Sequence, residues 1–411
     1  MSQPLIIGCN AWYEDEMGGA YRIASEFALH CARKGREVHF VAAHGQAPGG
    51  VHYTLRKGVN LWRYESPRES GGEKSPVKLW SHWQGIHRAA RAIAGRLGSN
   101  SRPVVNGHTE LQYWGLSHSL GKKAARKVLS VHSPFSDEYL AQKNGTLGGF
   151  PQYWAHFLLK AIEKHIYSVS DTVQCDSEFT AQVISKKFPN EVKGKLALCP
   201  GYVERRAEDL THITRIGARE RLRDMRWQGE STYFLTLRRL VPRTGVDSLI
   251  RAVSLLKQTA PFKVMIAGEG PCRTEYEKLT IELGLSDKIH FLGAVPDETL
   301  AFYYRAADCF VLPTRALECF GLVILESFAS GTPVIATPNG AIPEVMGPYT
   351  QGLARDNTPE AIAERMRQFL AATPAVRESG QASFIEYAAG YEKNKVLDRL
   401  EALVMGNSSA V

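Results

Sequence analysis

Short apolar runs alternate with amphipathic stretches along almost the whole chain, and this restricts the fold more than any other feature. "LIIGCN" (5–10) reads as a strand, "AYRIASEFALHCARKG" (20–35) as a helix stopped by Gly35, and "EVHFVAA" (37–43) as the next strand. "VVNGH" (104–108), "KVLSVHS" (127–133) and "DTVQCDS" (171–177) continue the series, each with polar residues at its C-terminal end. A second series begins near Thr232. Its expected strands are 232–240, 263–270, 288–295, 308–314 and 332–337, and its expected helices are 275–285, 297–306, 321–330 and 358–372. Strands alternating with helices predict parallel sheets covered on both faces. The polar stretch 203–230 between the series predicts a junction. The expected architecture is therefore α/β, with two doubly wound Rossmann-like parallel-sheet domains. The first spans residues 1–205 and the second 206–384, with a C-terminal helix at about 385–411 packing back onto the first. Ligands of such folds sit beyond the carboxyl ends of the strands, and a cleft between two such halves is a natural site.

A chain of 411 residues is long enough for two domains, and 44% hydrophobic with 22% charged residues fits a packed globular protein. No apolar stretch approaches the roughly 18 residues that a membrane span needs. The strand-like "LIIGCN" stands almost at the start, so a cleaved leader is not expected. Seven scattered cysteines without a Cys-x-x-Cys pair predict reduced thiols and a cytoplasmic location, with no zinc site. Charge is unevenly shared: residues 1–205 carry 26 Lys/Arg against 17 Asp/Glu, and the remainder 24 against 25. The basic half could meet an anionic substrate or the inner face of a membrane, or simply present solvated helix faces. "SPVKLWSHWQGIHRAARAIAG" (75–95) mixes Trp80 and Trp83 with Lys78, Arg88 and Arg91, a composition suited to an anionic bilayer surface. No helix-turn-helix, RNA-binding or zinc-finger pattern occurs, so nucleic acid is not an expected partner.

The segment "ECFGLVILESFASGTPV" (318–334) sets two carboxylates, Glu318 and Glu326, at either end of an apolar run. A buried carboxylate needs a partner. Glu318 falls in the loop after strand 308–314, Gly321 opens a short helix, and Glu326 lies inside it. A helix N-terminus with no side chain at Gly321 suits a phosphate, and each carboxylate can accept from two hydroxyls of a ribose or hexose.

In this context "LPTRALECFGLVILESFASGTPVIATPNGAIPEVM" (312–346) resembles glycosyltransferase family 4, the retaining group with the two-domain GT-B fold. It matches the family's Glu-x7-Glu segment, the Gly-x-Pro-Val strand, and a Gly-x-x-x-Glu formed by Gly340 and Glu344. "MGGAYRIASEFALHCARKGREVHFV" (17–41) is similar to the family's Gly-Gly loop, first helix and second strand, and "LRRLVPRTGVDSLIRA" (237–252) to its phosphate-binding strand and loop. "IAGEGP" (266–271), holding Gly268, and "SEFTAQVI" (177–184) match lesser features. The resemblance covers roughly residues 5–400.

It implies transfer of a sugar from a UDP-, GDP- or ADP-sugar to a hydroxyl acceptor such as a saccharide, glycolipid or small molecule. By position, Glu326 would bind the ribose and Glu318 the donor sugar. Backbone groups around Phe320, Gly321 and Leu322 would face the sugar and diphosphate, with Arg239 on the diphosphate. Gly18 and Gly19 would bring backbone amides to the phosphate, and His132 would contact the donor sugar. His108 is a further candidate. Glu14, Asp15 and Glu16 read equally as a solvated loop or as acceptor contacts. The leaving diphosphate gathers negative charge, which cations and a helix N-terminus can hold. No Asp-x-Asp motif occurs, so neither a metal nor another cofactor is expected, and the sugar nucleotide is a co-substrate. The family's retaining transfer is front-side, and no carboxylate nucleophile is assigned.

Two places depart from the family pattern. Thr244 stands where the family has Lys, and "CPGYV" (199–203) lacks the family's Asn. Arg243 is the expected substitute cation, and a lysine at 244 is expected to replace it in part. Alternatives remain at this level: a nucleotide-sugar epimerase or a phosphorylase on the same fold, a non-catalytic nucleotide-sugar binding or scaffold protein, and, more distantly, an NAD-dependent oxidoreductase. The first turn lacks the Gly-x-Gly-x-x-Gly of dinucleotide enzymes.

Overall fold

The computed structural model describes residues 3–16, 19–44, 50–65, 76–142, 150–204, 212–227, 230–256 and 261–407. They divide into two compact units. One comprises Met1–Ser136, Gly148–Pro200 and Asn394–Val411, and the other Asp137–Leu147 with Gly201–Lys393.

The first unit holds an eight-stranded sheet. Its strands are β1 (Leu5–Gly8), β2 (Val38–His44), β3 (Val51–Arg56), β4 (Val59–Glu65), β5 (Val104–Gly107), β6 (Arg126–Val131), β7 (Thr172–Cys175) and β8 (Leu196–Leu198). The order is β3-β4-β2-β1-β5-β6-β7-β8, and every pair is parallel except β3 with β4. Ile6, Val41, Val105, Leu129 and Val173 pack one face against the helices Pro76–Arg96, Glu110–Leu120 and Phe150–Val169.

The second unit holds five parallel strands, β9 (Thr232–Leu237), β10 (Phe262–Ala267), β11 (Ile289–Gly293), β12 (Cys309–Leu312) and β13 (Val334–Ala336), in the order β11-β10-β9-β12-β13. Side chains alternate between two cores. Tyr233, Leu235, Met265, Phe310 and Leu312 enter one, and Phe234, Val264, Ile266, Cys309 and Val311 the other. A parallel sheet buried on both faces therefore reads in the sequence as a nearly unbroken apolar run.

The expected strands lie at the expected places, and all but β2 stop one to three residues early, where the chain turns into loops. Three strands, β3, β4 and β8, escape the apolar-run criterion. β3 is exposed along most of its length, and it joins β4 through a two-residue turn at Lys57 and Gly58, both at positive φ. β8 is three residues long and half exposed. The boundary expected at 385 falls inside the helix Gln381–Ala389. Phe384 of that helix stacks on Phe328 with ring centroids 5.0 Å apart, so the helix belongs to the second unit's core. Only the helix Lys393–Met405 adds to the first unit. It is held to the helix Gly19–Arg33 and the residues after it by Arg36 to Glu401 (2.8 Å), Lys34 to Glu401 (3.0 Å) and His30 to Asp398 (2.9 Å).

Candidate functional site

In the second unit the functional candidates lie on loops that leave the carboxyl ends of β9, β10 and β12. The loop after β9 is laced to the loop after β10: Arg238 N–H donates to the Ala267 carbonyl (2.9 Å), Leu240 N–H to Glu269 (2.9 Å) and Cys272 N–H to Leu240 (3.1 Å). Gly268 makes this contact possible. Its φ is +122°, and a Cβ there would stand 1.9 Å from the Arg238 carbonyl oxygen.

Glu318 finds its partner in this loop. Arg238 Nη2 donates to Glu318 Oε2 at 2.7 Å, and both side chains are nearly buried, 8% and 13% exposed. Arg238 Nη1 donates to Thr314 Oγ1 (2.6 Å), and Thr314 Oγ1 donates to the same Glu318 oxygen (3.2 Å). Glu326, inside the helix Leu322–Ala329, accepts from the Tyr304 hydroxyl at Oε2 (2.8 Å). Burial and the neighbouring Glu326 carboxylate push the Tyr304 hydroxyl far up, so it remains a donor.

Gly321, at φ +92°, is the N-cap of the Leu322–Ala329 helix, a left-handed position that a side chain would disfavour. Phe320 and Leu322 flank it. The Phe320 ring is buried in the core, so only its backbone is available to a ligand, and Leu322 packs partly against the same core. Arg239 is exposed and has no side-chain partner among the described residues. Arg243 is half buried, and its Nη1 donates to the Leu317 carbonyl (3.2 Å). Leu317 has a φ of 54°, an uncommon value for a non-glycine residue, in the loop that carries Glu318. Thr244 is 1% exposed and turns its hydroxyl inward, donating to the carbonyls of Val241 (2.7 Å) and Arg239 (3.0 Å). It is a brace of its own loop.

In the first unit, polar side chains at the ends of β5, β6 and β7 form a continuous string. Asn106 Nδ2 donates to the Val128 carbonyl (3.2 Å) and Ser130 Oγ (3.1 Å), which leaves its oxygen to accept from His108 Nε2 (2.9 Å). His108 Nδ1 and His132 Nε2 lie 3.0 Å apart, His132 Nδ1 faces Asp176 Oδ2 at 2.9 Å, and Gln174 Nε2 donates to Asp176 Oδ1 at 3.0 Å. Both ring nitrogens of His132 are thus engaged. Asp176, Gln174 and Asn106 were not singled out from the sequence. Their signal was the polar residues closing the strand-like runs 104–108 and 171–177.

Gly18 lies outside the described residues. Gly19 opens the helix Gly19–Arg33, and nothing lies within 4 Å of the place a Cβ would take, so packing does not account for a glycine there. Glu14 pairs with Arg56 and with Lys57 (3.1 Å), and Asp15 with Arg63 (2.7 and 3.0 Å). These acids tie the first loop to the β3–β4 hairpin, and Glu16 beside them is exposed. Trp83 packs against Trp114 with centroids 4.6 Å apart, whereas Trp80, Arg88 and Arg91 are exposed; the Lys78 side chain lies outside the described residues. Among the described residues, one group of potential metal ligands lies close together: His30, Asp398 and Glu401. Lys34 and Arg36 already occupy those carboxylates. No helix among the described residues is long and apolar enough to cross a membrane.

Residues 219–389 match the family model described as glycosyl transferases group 1. The chain is 34% identical over 148 residues to a GDP-mannose-dependent alpha-(1-6)-phosphatidylinositol monomannoside mannosyltransferase of Mycolicibacterium smegmatis, covering 34% of this chain and 39% of that protein. It is 29% identical over 259 residues to mannosylfructose-phosphate synthase of Agrobacterium fabrum, covering 61% of this chain and 52% of that protein. The aligned stretches thus span about four-tenths and one-half of these relatives' own lengths. Among solved structures, sucrose-phosphate synthase from Thermosynechococcus elongatus superposes with a TM-score of 0.80 at 20% identity, covering 100% of both chains, which shows a shared fold.

Proposed function

We propose that the chain is a group 1 glycosyl transferase, a reading supported by the match of residues 219–389 and by the GT-B fold, and that it moves a sugar from a nucleotide-diphosphate donor to a hydroxyl acceptor with retention of the anomeric configuration and without a metal. The observation that carries this reading is the pair Glu318 and Glu326. Each has one carboxylate oxygen held by a buried donor, Arg238 and Tyr304 respectively, with Glu318 in the loop before the helix Leu322–Ala329 and Glu326 inside it. That arrangement orients acceptors for the hydroxyls of a sugar and of a ribose.

The chemistry follows from charge. As the glycosidic C–O bond breaks, the diphosphate gains negative charge, and exposed Arg239 with Arg243 stands at the end of β9 to receive it. The helix start at Gly321 offers backbone N–H groups to the same group. Glu318 holds the sugar and is not assigned as a nucleophile. The acceptor hydroxyl approaches from the leaving-group side and passes its proton to a phosphate oxygen.

The test is a screen of UDP-, GDP- and ADP-sugars for protection against thermal unfolding, since a ligand at about 100 times its Kd adds about 2.7 kcal/mol. Transfer is then followed with the protecting donor in excess EDTA, and the product anomer is read by NMR. Loss of activity on chelation that Mg²⁺ or Mn²⁺ restores, or an inverted anomer, overturns the corresponding part of the proposal. Protection with neither transfer nor donor hydrolysis would favour a binding protein.

A second proposal concerns location: cytoplasmic, with peripheral contact at an anionic membrane surface. Trp80, Tyr153, Trp154, Phe157 and Leu158 are all exposed large apolar side chains of the basic half, with exposed Lys160 and Arg88 on the same two helices. Interfacial aromatics beside cations suit anionic headgroups. Co-sedimentation with phosphatidylglycerol vesicles at low salt tests it, and absence of binding there ends it.

A further inference from the structure

We propose that Arg238 is the positioning residue for Glu318, and that the adjacent arginines divide the donor between them: Arg238 serves the sugar end through Glu318, and Arg239 serves the phosphate end. This rests on the glycosyltransferase reading above and deepens it, by turning the hold of Arg238 on Glu318 into a division of the donor between two adjacent arginines.

Both ends of Arg238 are held. Its backbone N–H is bonded to Ala267, and its carbonyl is pressed against Gly268, so the residue cannot swing as a unit. Its guanidinium spans Thr314 and Glu318, on the loop after β12. Glu318 Oε2 therefore receives two donors, one from Arg238 and one from the Thr314 hydroxyl. Glu318 Oε1 has no partner among the described residues. A carboxylate with one oxygen saturated and the other open presents a single acceptor in a set direction, which is what selection of one sugar hydroxyl requires.

The same geometry removes Arg238 from the diphosphate. Its charge is spent on a nearly buried carboxylate, and pulling it towards phosphate would leave that carboxylate desolvated and unpaired. Arg239, one residue on, is exposed and has no side-chain partner among the described residues, so its charge is open to an incoming anion. Adjacent positions in one loop thus differ in role because one side chain turns to the loop after β12 and the other to solvent.

The experiment compares wild type, Arg238→Gln, Arg238→Lys, Glu318→Gln and the Arg238→Gln/Glu318→Gln double variant. Nucleoside diphosphate binding is read by calorimetry and turnover by initial rates with the intact donor. Arg238→Gln is expected to lower kcat by roughly tenfold or more while the nucleoside diphosphate Kd stays within about threefold. The double variant should be no slower than Glu318→Gln, because the two residues act as one unit. Arg238→Lys should recover only part of the rate, since an ammonium cannot reproduce the planar fork. If Arg238→Gln does not fold, Thr314→Val reads the same positioning with both charges kept, and it should lower kcat without weakening the nucleoside diphosphate. A working wild type whose Arg238→Gln variant keeps its kcat, or loses nucleoside diphosphate affinity instead, overturns the inference alone. A wild type that neither binds nor transfers any nucleotide sugar overturns the reading beneath it.

Discussion

His108 and His132 share one hydrogen bond, Nδ1 to Nε2 at 3.0 Å, with their rings 20° from parallel. Because Asp176 holds the other nitrogen of His132, a ligand that needs His132 Nε2 must displace His108. His108 itself is 3% exposed and backed by Asn106. The site's histidine is therefore mounted in an internal polar string, and the string has a pH dependence.

Burial, and secondly the nearby His132, hold the His108 imidazole well below its ordinary value of 6.5. The unfolded imidazole binds a proton below about pH 6.5, and the folded one does not. The unfolded state then binds more protons, so this contribution is fully present above about pH 6.5 and is lost as pH falls below it. Thermal stability of the wild type should decline from about pH 7 to about pH 5, with His108 adding up to ~1.4 kcal/mol per pH unit. His108→Gln should show a shallower decline in circular-dichroism melts. An unchanged slope would mean that His108 accepts its proton in the folded state.

Tyr304 and Glu326 form the other oriented acid. Tyr304→Phe removes one donor and keeps the ring that packs on Phe310. It should weaken nucleoside diphosphate binding roughly three- to tenfold, the worth of one net hydrogen bond at about 0.5–1.5 kcal/mol. Glu326→Gln should weaken it more, because the ribose contact is itself altered, whereas Glu318→Gln should spare the nucleoside diphosphate and reduce turnover. Calorimetry with the diphosphate alone separates these outcomes, and the reverse pattern would exchange the two assignments.

Arg239→Ala and Arg243→Ala should each lower kcat by roughly 10²- to 10³-fold, as for other lost charge-stabilising groups. Arg243 also holds the Leu317 carbonyl, so its variant should loosen the loop before Gly321, visible as faster amide exchange there. Near wild-type turnover in Arg243→Ala beside a dead Arg239→Ala would leave Arg243 with the loop alone. Thr244→Lys is no longer expected to restore the lost cation. It would replace a buried hydroxyl that satisfies two carbonyls, and should destabilise the unit by about 1–3 kcal/mol in urea unfolding.

Glu401 joins the helix Lys393–Met405 to Arg36 and Lys34. Burial raises its carboxyl pKa, but bonds from Arg36 and Lys34 outweigh this and hold it below the ordinary 4.5. A depressed carboxyl contributes stability that is present above the unfolded value and lost as pH falls through the folded one. Glu401→Gln should cost about 1–3 kcal/mol near neutral pH, from the loss of nearly buried charge-assisted bonds. Asp398→Asn should cost about 1 kcal/mol or less, because Asp398 and Lys34 are half exposed and screened by water. Urea unfolding at two salt concentrations distinguishes them: only the Asp398 effect should fade markedly with salt.

What the sequence alone determined are the features written in short-range pattern. Fully buried strands declare themselves as apolar runs, so ten of the thirteen strands among the described residues and the two-sheet plan could be read directly. The segment around Glu318 and Glu326 was equally legible, because a loop, a left-handed glycine and a short helix all lie within about ten residues. The exposed β3, its hairpin partner β4, whose apolar residues are interrupted by Asn60 and Arg63, and the three-residue β8 escaped because none carries an unbroken apolar run.

Only the tertiary structure decided which side chains complete these residues. Arg238 and Glu318 are 80 residues apart, and His132 is 44 from Asp176 and 24 from His108. A parallel sheet gathers the carboxyl ends of distant strands at one edge, and strand order, which no local window contains, chooses the neighbours. Thr244 shows the same limit at close range. It lies five positions from Arg239, yet whether its side chain faced a ligand or its own loop depended on the turn through Pro242 and on the close approach of the Pro313 carbonyl to the next residue, Gly245. Backbone hydrogen bonds to neighbouring strands aim such loops, and those bonds form only when the whole sheet is assembled.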